Sequence, residues 1–189
     1  MNQELADHKF YRDITFSDRF AKWEAVSARL KQLAQKPLFT IEKVGQSVEG
    51  RDISRITVGR GDERVLLWSQ MHGDEPTGTM VIFDLLNFFD AEDGLNPIRE
   101  ELLESCTFYF IPMLNPDGAA SWRRRNLLEI DINRDFLTLQ TPEARVLAEQ
   151  QKAIMPNFGF NLHDQNTLWS VSGTKLPASI SLMAPPVDD

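Results

Sequence analysis

The chain has 189 residues, 42% of them apolar and 25% charged, which excludes a disordered or collagen-like polypeptide and fits one globular domain at roughly 100–200 residues per domain. The 28 acidic against 20 basic residues leave a formal charge of −8, which argues against a nucleic-acid partner, since that requires a basic face. No apolar run reaches the length of about 18 residues that a membrane span needs, and the first residues lack the basic start and apolar core of a secretory signal. Cys106 is the only cysteine, so no intramolecular disulfide forms. It reads as a buried, inert thiol in a strand, and a reduced, cytoplasmic setting is expected.

Apolar residues at Phe20, Trp23, Val26, Leu30 and Leu33 recur at helical spacing. Ser17 or Asp18 is the expected cap of this N-terminal segment, residues 1–37, and Pro37 its end. Leu38 to Val44 and Asp52 to Val58 alternate and are β-branched, with Gly45 and Gly50 between them, so they read as paired strands. Val65 to Trp68 is a short, continuously apolar strand, the pattern of a sheet covered on both faces. Pro76 opens an almost wholly apolar helix from Thr77 to Phe89. Thr107 to Met113 is the next central strand. Thr141-Pro142-Glu143 supplies a cap, a first-turn proline and a first-turn acid, followed by a helical face of Ala144, Leu147, Ala148, Gln151, Ile154 and Met155. Phe158 to Leu162 is a further strand. Strands alternating with helices predict an α/β domain with a mixed, largely parallel sheet and flanking helices. Residues 1–189 read as a single domain without repeats or linkers, and the long irregular stretch from Leu114 to Phe136 is the expected seat of function.

Of the three histidines, His8 lies in a polar N-terminal segment and is assigned no role. His72 and His163 each follow a predicted strand at its C-terminal end, where open α/β sheets bind ligands. His72-Gly-Asp-Glu75 places a carboxylate three residues after an imidazole at the start of a helix. With a nitrogen from another strand end, this is the three-ligand pattern of a catalytic zinc.

His72-Gly-Asp-Glu-Pro-Thr-Gly78, Ile111-Pro-Met-Leu-Asn-Pro-Asp-Gly118, Arg124-Arg-Asn, Asp131-Ile-Asn-Arg-Asp-Phe136 and Asn161-Leu-His-Asp164 occur in that order. Together they resemble the zinc carboxypeptidases of carboxypeptidase A type, and Gly45-Gln-Ser-Val-Glu-Gly-Arg-Asp52 resembles the same family's entry segment. The resemblance implies Zn2+ held by His72, Glu75 and His163, with Asp131 orienting His72. It implies that Asn133 and Arg134 hold the terminal carboxylate of a peptide or amino-acid-derived substrate. It also implies that Arg124, rather than Arg123 or Arg125, stabilises the oxyanion. Asn115 to Gly118 reads as a structural turn.

The sequence departs from the family in three places. Gly73-Asp74 stands where several members have an arginine, and leaves Asp74 to face solvent. Glu129 stands where glycine is usual, two residues before Asp131, so that turn is expected to differ. Only 26 residues follow His163, without Glu or Tyr, so the family's general-base glutamate is expected beyond residue 189. The chain therefore reads as the N-terminal part of a longer domain. Alone it is expected to be inactive and to self-associate through an exposed sheet edge. Two alternatives are a zinc amidohydrolase of the aspartoacylase and succinylglutamate desuccinylase type, and a non-catalytic metal- or peptide-binding module. The Asn115-Pro-Asp-Gly118 turn favours the peptidase over the first.

Overall fold

The structure is a computed structural model that describes residues 8–16, 20–164 and 174. Five strands form one sheet: β1 (Thr40–Gln46), β2 (Asp52–Gly59), β3 (Glu63–Ser69), β4 (Cys106–Ile111) and β5 (Phe158–Leu162). Their order is β1-β2-β4-β3-β5. β1/β2 and β2/β4 pair antiparallel, whereas β3 pairs parallel with both β4 and β5. The sheet is thus mixed, and its parallel half is the half that ends at the two histidines.

Five helices accompany it: α1 (Trp23–Leu33), α2 (Thr77–Asp90), α3 (Asn96–Ser105), α4 (Pro116–Ser121) and α5 (Pro142–Ile154). The period-2 alternation of the strands produces two cores, one on each face of the sheet. On one face Val26, Leu30 and Leu33 of α1 and Ile82, Phe83 and Leu86 of α2 pack with Ile56, Val58 and Phe110. On the other, Ala144, Val146, Leu147 and Ile154 of α5 pack with Ile53, Leu66 and Ile111.

Several expectations are corrected. α1 begins at Trp23 with Lys22 at its cap, so the helix starts later than Ser17 or Asp18 would set; both residues lie outside the described residues. Met155 leaves the α5 face, because it adopts the left-handed conformation that ends the helix and is exposed. Cys106 opens β4 and is only half-buried, because the strand begins at the rim of the sheet. The turn at Asn115 is a short helix, capped by Asn115 Oδ1 accepting from Gly118 N (2.9 Å).

The end of the irregular stretch is fastened by one buried acid. Asp135 accepts from Thr138 Oγ1 (2.6 Å), Gln140 N (2.9 Å), Thr141 N (2.7 Å) and Thr141 Oγ1 (2.7 Å), and Thr141 Oγ1 in turn caps α5 through Ala144 N. Burial pushes this carboxyl up, but the bonds from Thr138, Gln140 and Thr141 outweigh it and hold it down at about 2. A depressed carboxyl stabilises the fold above its unfolded value and loses that contribution as pH falls towards its folded one. Asp135→Asn should therefore cost about 2 kcal/mol at pH 7, and the deficit should shrink as pH drops from about 4 to about 2. Urea denaturation of both proteins at pH 7 and pH 3 measures this; a deficit equal at both would refute it.

Candidate metal centre

β3 ends at Ser69, and the chain turns at Gln70, a buried residue with φ 47°. Its side chain holds the turn. Nε2 donates to the carbonyls of Ala21 (3.1 Å) and Gly73 (2.9 Å), and Oε1 accepts from Thr79 Oγ1 (2.7 Å). Asn115 Nδ2 donates to the Met71 carbonyl from the β4 side (3.2 Å). Gly73 lies directly on α4, where an added Cβ would sit 2.0 Å from the Gly118 carbonyl carbon. Out of this packed turn comes His72, 1% exposed, and one turn later Glu75, just before α2.

His163 arrives from β5. Because β5 runs parallel beside β3, both strands deliver their following residues to the same end of the sheet. Ligand atoms of His72, Glu75 and His163 lie within 4.8 Å of one another. Glu75 bridges the pair: Oε1 is 2.9 Å from His72 Nδ1 and Oε2 is 2.7 Å from His163 Nδ1. Burial pushes the Glu75 carboxyl up, but the two imidazoles more than reverse this and hold it at about 2, so it is an anion at neutral pH.

Asp131 Oδ1 lies 3.2 Å from His72 Nε2. Arg124 Nη1 lies 3.1 Å from His72 Nδ1, and a guanidinium can only donate. Both ring nitrogens of His72 thus face a carboxylate, Nδ1 that of Glu75 and Nε2 that of Asp131, with Arg124 and His163 beside them. Two imidazole nitrogens and one carboxylate, with a carboxylate behind one of the rings, form a donor set that fits zinc.

The three adjacent arginines have different partners. Arg124 points into the site, reaching Glu75 Oε1 (3.2 Å) and Asp131 Oδ2 (3.1 Å). Arg123 pairs with the Glu129 carboxylate and Arg125 with its carbonyl. Burial raises the Asp131 carboxyl, but Arg124 and His72 bring it below its ordinary range. Ile132 to Arg134 form a single 3-10 turn, capped by Asp131 Oδ1 accepting from Asn133 N (3.0 Å). Arg134 is exposed; among the described residues it has no acidic partner, only the Asn133 carbonyl at 3.2 Å. Asn133 lines a cavity of about 220 Å³ together with Trp68, Ile132, Phe136 and Leu147.

Glu129 has φ 58°, so the turn before Asp131 keeps the left-handed backbone that favours glycine. Glu129→Gly should stabilise the chain by about 1 kcal/mol, less whatever its exposed pairing with Arg123 contributes. Thermal denaturation checks the sign; a destabilised variant would mean that the side chain matters more than the strain.

Two features of the site were not anticipated. Asp74 is half-buried rather than solvent-facing, with Oδ1 shielded and without a hydrogen-bond partner among the described residues. Asp164 Oδ1 accepts from Thr77 N (3.0 Å), capping α2 from across the site. The signal for this was local: Pro76 at the cap of α2 offers no acceptor side chain. Burial pushes the Asp164 carboxyl up, with the nearby Glu75 and Asp74 charges adding to it.

Comparison with known proteins agrees with this geometry. Residues 26–166 match the family model described as zinc carboxypeptidase. Carboxypeptidase SOL1 of Arabidopsis thaliana is 29% identical over 103 residues, 49% of this chain and 21% of that protein. Carboxypeptidase M of Mus musculus is 26% identical over 136 residues, 62% of this chain and 31% of that protein. A metallo-carboxypeptidase structure from Burkholderia cenocepacia superposes with a TM-score of 0.70 at 23% identity, covering 75% of this chain and 40% of that one. The chain thus spans about a fifth to a third of the length of these two relatives. No helix among the described residues is long and apolar enough to cross a membrane. With the family model matching about three quarters of its length and the ligand set converging at the strand ends, this chain belongs to the zinc carboxypeptidase family.

Proposed function

We propose that this chain carries the metal-holding and carboxylate-binding part of a zinc-dependent metallocarboxypeptidase, which releases C-terminal residues from peptides. The observation that carries the proposal is the convergence of His72 Nδ1, both Glu75 oxygens and His163 Nδ1. His72, Glu75 and His163 would hold the zinc. When bound, zinc polarises the scissile carbonyl and acidifies a water. Asp131 fixes the His72 ring and its tautomer through Nε2. Asn133 and Arg134 clamp the substrate's terminal carboxylate, which the planar guanidinium meets with two parallel hydrogen bonds. Arg124 neutralises the oxyanion as the carbonyl carbon becomes tetrahedral.

Among the described residues, the carboxylates at the site are either engaged or, like Asp74 Oδ1, shut off from solvent. Glu75 is a ligand, Asp131 serves His72 and Arg124, and Asp164 caps α2. Proton transfer of the kind that contributes about 10²–10⁴ in rate has no free carrier among them, so the chain alone binds substrate better than it hydrolyses it.

The zinc-loaded chain should bind an N-acyl dipeptide with a free C-terminus about 10- to 100-fold more tightly than its C-terminal amide, the worth of a charge-assisted pair. Arg134→Lys should remove most of that difference. Isothermal titration measures both; equal affinity for acid and amide would refute the clamp.

A further inference from the structure

Seven consecutive residues, 123–129, cross the surface just before Asp131, and all but one of them are exposed. The exception is Asn126, 2% exposed. Leu127 and Leu128 both face solvent, so apolar burial does not hold this loop. Its position depends on polar contacts, and these centre on Asn126. Oδ1 accepts from Leu128 N and Ile130 N (both 3.1 Å). Its backbone N–H donates to the Ile130 carbonyl (3.1 Å), and its carbonyl accepts from Glu129 N (3.0 Å). One residue therefore closes the loop on itself.

The remaining group of Asn126 ties the closed loop to the body of the protein. Nδ2 donates to Glu143 Oε2 (3.1 Å), a carboxylate 0% exposed in the first turn of α5. That turn is fixed by the Thr141 cap and by Ala144 and Val146 in the core. Among the described residues Glu143 Oε1 is shielded without a hydrogen-bond partner; besides Asn126, only the backbone of Glu143 itself and of Val48 serves this buried carboxylate. Asn126 Nδ2 is the side-chain donor this buried carboxyl meets among the described residues, so the bond fixes the loop to a group that cannot turn to water for a substitute.

We propose that Glu143 and Asn126 are positioning residues for Arg124: a rigid helix, acting through one buried hydrogen bond, sets the reach of the guanidinium at the metal centre. Arg124 lies two residues before Asn126, and Asp131 lies one residue after the loop that Asn126 closes. Both touch His72. With 45% of its own side chain exposed, Arg124 is not packed into place and takes its aim from the loop. This inference rests on the role of Arg124 proposed above.

Two measurements test it. The first uses the chain alone. Arg123, Arg124 and Arg125 are exposed tryptic sites, and cleavage there requires the loop to open. Asn126→Ala and Glu143→Ala should raise the cleavage rate at these sites about tenfold. Glu143→Gln, which keeps an acceptor oxygen for Nδ2, should not. Unchanged rates in both alanine variants would overturn the proposal.

The second is a double-mutant cycle on the zinc-loaded chain, read by the affinity of a dipeptide phosphonate, a tetrahedral anion. Arg124→Ala and Asn126→Ala should each weaken binding about tenfold or more, and the double variant should be no weaker than Arg124→Ala alone. Additive losses would mean that Asn126 acts independently of the arginine, and overturn the positioning role alone. Indifference to Arg124→Ala would overturn the arginine's assignment and this inference together. Failure of the unaltered chain to bind the phosphonate would overturn the proposed function itself.

Discussion

The His163→Ala chain should bind zinc more than about 100-fold more weakly than the unaltered chain, because even partners behind the ligands are worth about 10- to 100-fold. His163 is a third of the proposed donor set, and it alone comes from β5. Without it, His72 and Glu75 present two ligands from one turn, too few for the tetrahedral sites that hold zinc tightly. Asp131→Asn should fall between, about 10- to 100-fold weaker, since it leaves the three ligands and disturbs only the His72 ring. Asn133→Ala should leave zinc affinity unchanged. Competition with a chromogenic chelator gives all three values. Full zinc retention by His163→Ala would defeat the ligand assignment, and an effect of Asn133→Ala equal to that of Asp131→Asn would show that the ranking reflects general damage.

Gly73→Ala should be the most disruptive single-methyl change at the site. Its Cβ would meet the Gly118 carbonyl carbon at 2.0 Å, Ala119 N at 2.2 Å and the Gly118 carbonyl oxygen at 2.4 Å. These are backbone atoms, so no side chain can swing aside. The turn must lift from α4, and His72 and Glu75 ride on that turn. Overpacking typically costs about 1–3 kcal/mol, and a backbone-on-backbone clash belongs at or beyond the upper end. Zinc affinity should fall with stability. Gly50→Ala is the matched control: nothing lies within 4 Å of its Cβ, and only the backbone strain of φ 78° is added, about 1 kcal/mol. It should leave zinc binding intact. Denaturation midpoints and zinc titration of both variants decide it; a Gly73→Ala chain as stable as Gly50→Ala would mean that the turn does not rest on α4 as described.

Much of this architecture is legible in the residues. Strand alternation at Ile53, Ile56 and Val58 and the cap Thr141-Pro142 specify local structure by local rules, and the structure follows them. α3 is not legible in the same way. Its single fully buried residue is Arg99, which bonds to the Phe88 carbonyl, Asn96 and Asp93, so no apolar stripe marks it. The strand order is not legible either, because the insertion of β4 between β2 and β3 depends on which edges meet, and neither the composition nor the period of Cys106–Ile111 encodes that. At the site, the candidate trio His72, Glu75 and His163 was readable from motif order, and the fold brings the three together. The choice of Arg124 over Arg123 and Arg125 rested on the resemblance alone, since three adjacent arginines are equivalent until a backbone aims them. The bond between Asn126 and Glu143 was not legible, because one stood only as part of an arginine motif and the other as an ordinary first-turn acid.

The placement of β5 has a consequence for the order in which the molecule is assembled. His72 and Glu75 are three residues apart and come together as soon as one turn forms, whereas His163 lies 88 residues beyond Glu75 and reaches them only after a peripheral strand has docked on β3. Closing so long a span is slow compared with local contacts. A metal ion at the proposed site would therefore meet two ligands before β5 docks and three after. Since a ligand at about 1,000 times its Kd adds about 4 kcal/mol to the form that binds it, zinc held there would act as a clasp on β5. Chelation should loosen the amides of Phe158–Leu162 before those of β4, at the centre of the sheet.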